Sequence, residues 1–344
     1  MTPAESPPLL SVIVPVYNGG AAFADCLAAL GRSEFQQYEL IVIDDGSTDG
    51  SADLAAQAGA LVGRTGGRCG PAAARNLGAA MAQGRYLCFI DADCAVHPTT
   101  LGAFVAGFQA EPELVAIFGS YDTTPAAAGF VAQYKNLAHH YVHQQANREA
   151  ATFWAGCGAV RRQSFLAVGG FDAQRYPRAT IEDIELGHRL RQAGGRIRLA
   201  PQIQVSHHKA WTLTSMIRSD IFDRALPWTA LMVSESGMQA DLNVRLHHRL
   251  SALAVYGLLT SLLLRLRIPG LPRLDALCAA FLLIANQDLY RFFWRVRGPA
   301  FALRAVPLHW LYYAYSLLAF GLGVMRASIA QRRAKAGLRL GAYE

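Results

Sequence analysis

LLSVIVPVY (Leu9–Tyr17) is apolar along almost its whole length and rich in β-branched residues, and the pattern recurs in ELIVIDD (Glu39–Asp45) and RYLCFI (Arg85–Ile90). A strand apolar on both sides must be covered on both faces. Between these runs lie helical sequences at about 21–30, 52–58 and 71–82, with a short strand near Leu61. Buried strands alternating with helices predict an α/β fold, a mixed, mostly parallel sheet flanked by helices. In such sheets ligands bind outside the carboxyl ends of the strands. Asp44, Asp45, Asp91 and Asp93 all fall at strand ends, so they are expected to converge on one crevice.

FIDADC (Phe89–Cys94) sets two carboxylates one residue apart after an apolar run. Like charges that close are costly inside a protein unless something positive lies between them. A hard divalent cation such as Mg²⁺ or Mn²⁺ prefers oxygen ligands and is commonly completed by substrate phosphates. Held by Asp91 and Asp93, it could grip a diphosphate and neutralise charge as that group departs.

Further along, residues 130–145 form an amphipathic stretch, and WAGCGAVRRQSFLAVGGFD is rich in glycine. IEDIELGHRLRQAGGRIRLAPQIQVSHH predicts a helix with Glu182 and Asp183 in its first turn, stopped by Gly194–Gly195, then a strand ending near His207. Carboxylates at a helix start are favoured by the dipole whether or not they do chemistry. His207 is a candidate third ligand or a diphosphate contact, and equally a polar residue at a strand end. His208 is expected to be its outward neighbour. Asp49 and Asp53 fit turn and helix-start positions, and Asp172 fits a sugar contact or a cap. Gly156, Gly158, Gly169 and Gly170 fit either close approach near an acceptor or simple turns.

From about His247 the character changes. Leu250–Leu264, Leu274–Asn286 and Ala305–Met325 are apolar, and only the last reaches the ~20 residues a spanning helix needs. Every connection between them carries arginines, which conflicts with three full crossings, since basic loops gather on one side. Helices lying in or dipping into the cytoplasmic leaflet, with at most one hairpin crossing, satisfy that rule. Charged residues are only 17% of the chain and hydrophobic ones 52%, lean in charge for a soluble protein of 344 residues. The net charge of +7 suits anionic lipid or phosphorylated substrates. Nucleic acid is disfavoured as a partner, because the arginines sit among apolar segments and form no basic face with stacking aromatics. No G-x-G-x-x-G follows the first strand, which argues against a dinucleotide-binding dehydrogenase. Six cysteines without a C-x-x-C pair suggest reduced thiols in a cytosolic compartment. The first residues do not look like a signal peptide.

SVIVPVYNG, ELIVIDDGSTDGS, GPAAARNLGAA, FIDADC, GCGAVRRQSFLAVGGFD and EDIELGHRLRQAGGRI occur in that order. Together, over about 10–208, they resemble family 2 inverting glycosyltransferases of the GT-A fold. HKAWTLTSMIRSDIFDRALPWT is similar to members with a membrane-associated C-terminal region. The resemblance implies that Pro15 and Tyr17 line a nucleotide base, that Asp45 hydrogen-bonds it, with uracil as the base, and that Arg75 lies near the nucleotide. It implies Asp91 by the ribose and metal and Asp93 as the direct metal ligand. Asp183 would be the catalytic base, with Glu182 beside it contacting donor sugar or acceptor. Arg218 and Arg224 could reach phosphate oxygens or lipid headgroups, and Trp211 could stack on a sugar or sit at the bilayer interface, the latter favoured.

The chain is then expected to divide into a catalytic domain over 1–210 (nucleotide-sugar half about 9–120, acceptor half about 121–210), interfacial helices over 211–248, and a membrane-associated helical region with a basic tail over 249–344. Its expected activity is metal-dependent transfer from a nucleotide sugar, a UDP-sugar by resemblance, to a lipid-linked or amphiphilic acceptor at the cytoplasmic face of the cell's inner membrane. A processive polysaccharide synthase would share the front half, but its Q-x-x-R-W motif is absent. A catalytically silent nucleotide-sugar-binding scaffold would be expected to lack the paired acids or the base.

Overall fold

The computed structural model describes residues 7–234, 246–268 and 272–340. The chain divides into two compact units, Met1–Trp211 and Thr212–Glu344. The first holds strands β1 (Leu10–Val16), β2 (Tyr38–Asp44), β3 (Leu61–Arg64), β4 (Tyr86–Ile90), β5 (Cys94–Val96), β6 (Leu114–Tyr121), β7 (Glu149–Ala150), β8 (Cys157–Arg161) and β9 (Arg196–His207). Its helices are α1 (Gly20–Gly31), α2 (Ser51–Gln57), α3 (Pro71–Met81), α4 (Thr100–Ala110), α5 (Phe130–Gln145), α6 (Arg162–Ala167) and α7 (Glu182–Gln192).

The strands form one sheet in the order β3-β2-β1-β4-β8-β6-β9-β5, with β7 paired to β9. β3, β2, β1 and β4 run parallel, β8 is antiparallel to both β4 and β6, and β6 is parallel to β9. The expected mixed, mostly parallel sheet is therefore present. Alternation along β1 divides its side chains between two cores, as the period of two requires. Val12, Val14 and Val16 pack with Phe23, Leu27, Leu30, Phe104 and Phe108 on the α1 and α4 side. Ile13 joins Ile41, Ile43, Leu87 and Phe89 under α3 and α7, which contribute Ala72, Ala79, Leu186 and Leu190. Two covered faces explain why these strands read as unbroken apolar runs.

The second unit begins with α8 (Leu213–Arg218), a wider π-helical stretch Ser219–Ala225 and α9 (Leu226–Ser234). It continues with α10 (Leu246–Arg265), α11 (Leu274–Ala285), α12 (Gln287–Arg297) and α13 (Pro299–Leu340). Part of the expected 211–248 segment, residues 235–245, lies outside the described residues. Ala252, Val255, Leu282 and Tyr313 form a small buried cluster here. Within α13, Pro299–Ile329 is long and apolar enough to cross a membrane by length and composition. Many large apolar side chains of this unit stand exposed, among them Leu263, Leu266, Leu277, Ile284, Leu303 and Leu318.

Candidate active site

The carboxyl ends of β1, β2 and β4 deliver Tyr17, Asp45 and Asp91. Asp45 is buried and already occupied: its Oδ1 accepts from Thr65 Oγ1 and Cys69 N, and its Oδ2 accepts from Gly70 N, each at 2.8 Å. These bonds tie down the loop before α3. A carboxylate has about four acceptor positions, so one remains. Tyr17 is 41% exposed, with the Arg68 guanidinium of that same loop 4.3 Å above its ring. Pro15 is half-buried within β1. Arg68 carried no distinguishing pattern in the sequence.

Arg75, on α3, does something the sequence did not disclose. Its two terminal nitrogens bridge Asp91 Oδ1 at 2.7 Å and Glu182 Oε1 at 2.9 Å. The guanidinium is buried and lies 5.5 Å from the Phe171 ring centroid. Burial works against its charge, but Asp91, Glu182 and Asp183 outweigh that effect and hold it firmly protonated. Glu182 is buried too, and its Oε2 accepts from Thr180 N at 2.8 Å. Arg75 is thus a buried bridge between acids and not a solvated helix cation.

Asp183 shares the first turn of α7. Its Oδ2 accepts from Ala155 N at 3.1 Å and its Oδ1 from Ile184 N at 2.8 Å. Gly156, the residue after Ala155, accepts from Asp91 N at 3.2 Å. The strip Ala155–Gly156 therefore joins the base candidate to the paired acids, and Arg75 joins them a second time through Glu182. Burial, then the charge of Glu182, raises the Asp183 pKa to about 7, against the hydrogen bonds and Arg75, which lower it. A carboxylate poised near neutrality is the property a general base requires.

Close packing fixes this geometry. A Cβ on Gly187, in α7, would lie 2.3 Å from the Phe153 nitrogen, so only glycine lets the helix reach the 152–156 strip. Gly187→Ala is expected to cost about 1–3 kcal/mol through overpacking, read as a lower thermal midpoint.

Asp93 lies on the turn before β5. The paired strands β5 and β9 place His207 opposite Cys94, and His207 Nε2 stands 3.4 Å from Asp93 Oδ2. Asp93, Cys94 and His207 offer ligand atoms within 4.8 Å of one another. Burial opposes the Asp93 charge, but the His207 hydrogen bond and the charges of His207 and Lys209 hold its pKa below the ordinary value. Burial, with Asp93 and Asp91, pushes the Cys94 thiol far up, which keeps it protonated and a poor ligand. Asp91 has one oxygen on Arg75 and one to offer. Asp91, Asp93, Glu182 and Asp183 outnumber the one buried guanidinium among them, so the residues present suit a divalent cation.

His208 meets Asp25 at 3.1 Å, as an outward neighbour would. Asp49 accepts from Ser51 and Gly20 backbone nitrogens, and Asp172 caps its turn through Arg175 N. Gly156 packs against the Trp154 ring, while Gly169 and Gly170 turn with positive φ. Trp211 is buried, with Lys209 Nζ 4.4 Å above its ring. Arg218 and Arg224 are exposed on the second unit. Sequence patterns also missed Asn136 and Tyr121, which hold His207 from behind.

The sheet and its acid-lined crevice define a GT-A domain. Residues 11–169 match Glycosyl transferase family 2. A mannosyltransferase from Pyrobaculum calidifontis, solved with GDP-Man and Mn²⁺, shares the fold with a TM-score of 0.51 at 17% identity, over 93% of this chain and 88% of that one. The uncharacterized glycosyltransferase YibD of Escherichia coli is 38% identical over 94 residues, 26% of this chain and 27% of its own length. The pre-mycofactocin glycosyltransferase of Mycobacterium tuberculosis is 27% identical over 286 residues, 79% of this chain and 56% of its own. The aligned parts span 27% and 56% of these two curated relatives.

Proposed function

We propose that this protein is a metal-dependent, inverting glycosyltransferase. It moves a sugar from a nucleotide sugar, with a UDP-sugar as first candidate, to a hydroxyl of a lipid-linked or amphiphilic acceptor at the cytoplasmic face of the cell membrane. The observation that supports the catalytic half is the Arg75 bridge from Asp91 to Glu182, the neighbour of Asp183, whose pKa is raised to about 7.

Inverting transfer is a single displacement. Asp183 takes the proton of the acceptor hydroxyl as that oxygen attacks the anomeric carbon, and the nucleoside diphosphate leaves from the opposite side. Asp91, Asp93 and His207 would hold Mn²⁺ or Mg²⁺, which supplies positive charge to the departing diphosphate. Tyr17, with its exposed face, and Pro15 line the base, and Asp45 gives it the one acceptor position still open. Glu182, clamped by Arg75 and Thr180 N, lies beside Asp183 and contributes to raising its pKa. Arg218 and Arg224, exposed on the second unit, would meet phosphate oxygens of the acceptor or of lipid headgroups.

The membrane half is supported by the exposed apolar side chains of the second unit and by the length of α13, since apolar surface on this scale marks a contact site. Release of the full chain from membranes by high salt alone, without detergent, would contradict it. A donor screen tests the enzyme: nucleotide release is measured with Mn²⁺ across UDP- and GDP-sugars. Consumption of none of them sinks the proposal and leaves the silent scaffold. Asp93→Asn is expected to lose metal-dependent donor binding, seen as a donor titration that no longer responds to added Mn²⁺.

A further inference from the structure

His207, 4% exposed at the end of β9, is held on three sides. Its ring stacks on Tyr121 at 4.2 Å between centroids and 9° between planes. Nδ1 lies 2.5 Å from Asn136 Oδ1, and Nε2 stands 3.4 Å from Asp93 Oδ2. Asn136, on α5, is 1% exposed. An amide oxygen only accepts, so with the amide oriented this way Nδ1 carries a hydrogen, and Nε2 is the ring atom directed at Asp93. Two neighbouring ligand atoms with bonds near 2.1 Å to one ion stand about 3.0–3.5 Å apart, and the Nε2–Oδ2 separation falls in that range.

We propose that Asn136 is a positioning residue that fixes His207 as an Nε2 ligand. The nitrogen–oxygen pair so formed makes the site select a transition ion, Mn²⁺, Co²⁺ or Zn²⁺, over Mg²⁺. Imidazole suits such ions, whereas Mg²⁺ favours oxygen ligands and retains its waters. Partners that orient a ligating histidine typically govern metal affinity by ~10–100-fold. The proposal rests on the proposed function only for the presence of a cation, and its test needs no turnover.

Mn²⁺ is titrated into the purified full chain, without donor, and the free ion is followed by electron paramagnetic resonance. Asn136→Leu is expected to bind Mn²⁺ ~10–100-fold more weakly than wild type. Asn136→Asp, which keeps an acceptor facing Nδ1, is expected to bind at least as tightly as wild type. Wild-type affinity in Asn136→Leu overturns the proposal, and so does an Asn136→Asp as weak as Asn136→Leu, because the donor side of the amide would then be what matters. If Asn136→Leu does not fold, Asn136→Asp and competition decide: displacement of Mn²⁺ by an equal concentration of Mg²⁺ overturns the selectivity. A donor screen that fails while these bindings hold defeats the glycosyltransferase assignment and leaves this one standing.

Discussion

Asp183→Asn abolishes turnover while leaving the donor bound. An amide cannot take a proton from the acceptor hydroxyl, and general-base catalysis is typically worth ~10²–10⁴-fold, so kcat is expected to fall by at least that much. Donor affinity, measured calorimetrically with Mn²⁺, should not change, because Asp183 contacts the Ala155 and Ile184 nitrogens and not the cation-binding pair. The pH profile supplies an independent check. Activity needs the ionised form, so kcat/KM of wild type should rise with pH to a plateau, with an apparent pKa of about 7. Glu182→Gln removes the repulsion and should move the limb to lower pH. The stability sign runs with this. The folded pKa lies above the ordinary 3.8, so the Asp183 charge destabilises the fold progressively as pH rises from about 4 to 7, and the cost is complete above 7. At pH 8 the Asn variant is relieved of that cost, though its amide sets an N–H against one of two backbone N–H groups. It should remain folded, which separates lost chemistry from lost structure. A variant with wild-type turnover removes Asp183 from the mechanism.

The layered sheet was legible because both faces of β1, β2 and β4 are covered, and a doubly covered strand has no alternative to a continuous apolar run. The acids at the strand ends followed from the same fact, since a buried strand can turn polar only where it leaves the sheet. The connections between acids were not legible. Arg75 and Glu182 are 107 residues apart in sequence, and an arginine in an Ala-rich helix looks the same whether it is solvated or clamped between two carboxylates. Asn136 and Tyr121 are likewise ordinary residues of a helix and a strand, and only the pairing of β6 with β9 brings Tyr121 against the His207 ring. The burial of Trp211 was not legible either, since nothing local in HKAWTL distinguishes a buried aromatic from an exposed one.

Arg75→Met is expected to be the most damaging single change in the first unit. The side chain of Glu182 is 5% exposed, so removing its partner leaves a buried carboxylate with only the Thr180 N–H for compensation. Breaking a buried ion pair from one side costs about 3–5 kcal/mol, which at about 2–4 °C per kcal/mol for a unit of this size predicts a midpoint lower by about 6–20 °C. Asp91, with its side chain one-third exposed, is rehydrated at smaller cost and adds less. Arg75→Lys should not restore the bridge, because an ammonium on a flexible stem cannot reproduce the planar fork that meets two carboxylates at once. The double variant Arg75→Met/Glu182→Gln isolates the cause. Neutralising Glu182 removes the stranded charge, so the double variant should regain much of the lost stability, and the cycle should return a coupling well above the ~0.3–0.5 kcal/mol scatter of independent sites. Its activity should stay low, because Asp91 is no longer tethered to α7 and the spacing between the cation-binding pair and Asp183 is no longer fixed. Additive effects of the two substitutions would mean that the bridge is incidental, and the Ala155–Gly156 strip would then be what keeps these acids together.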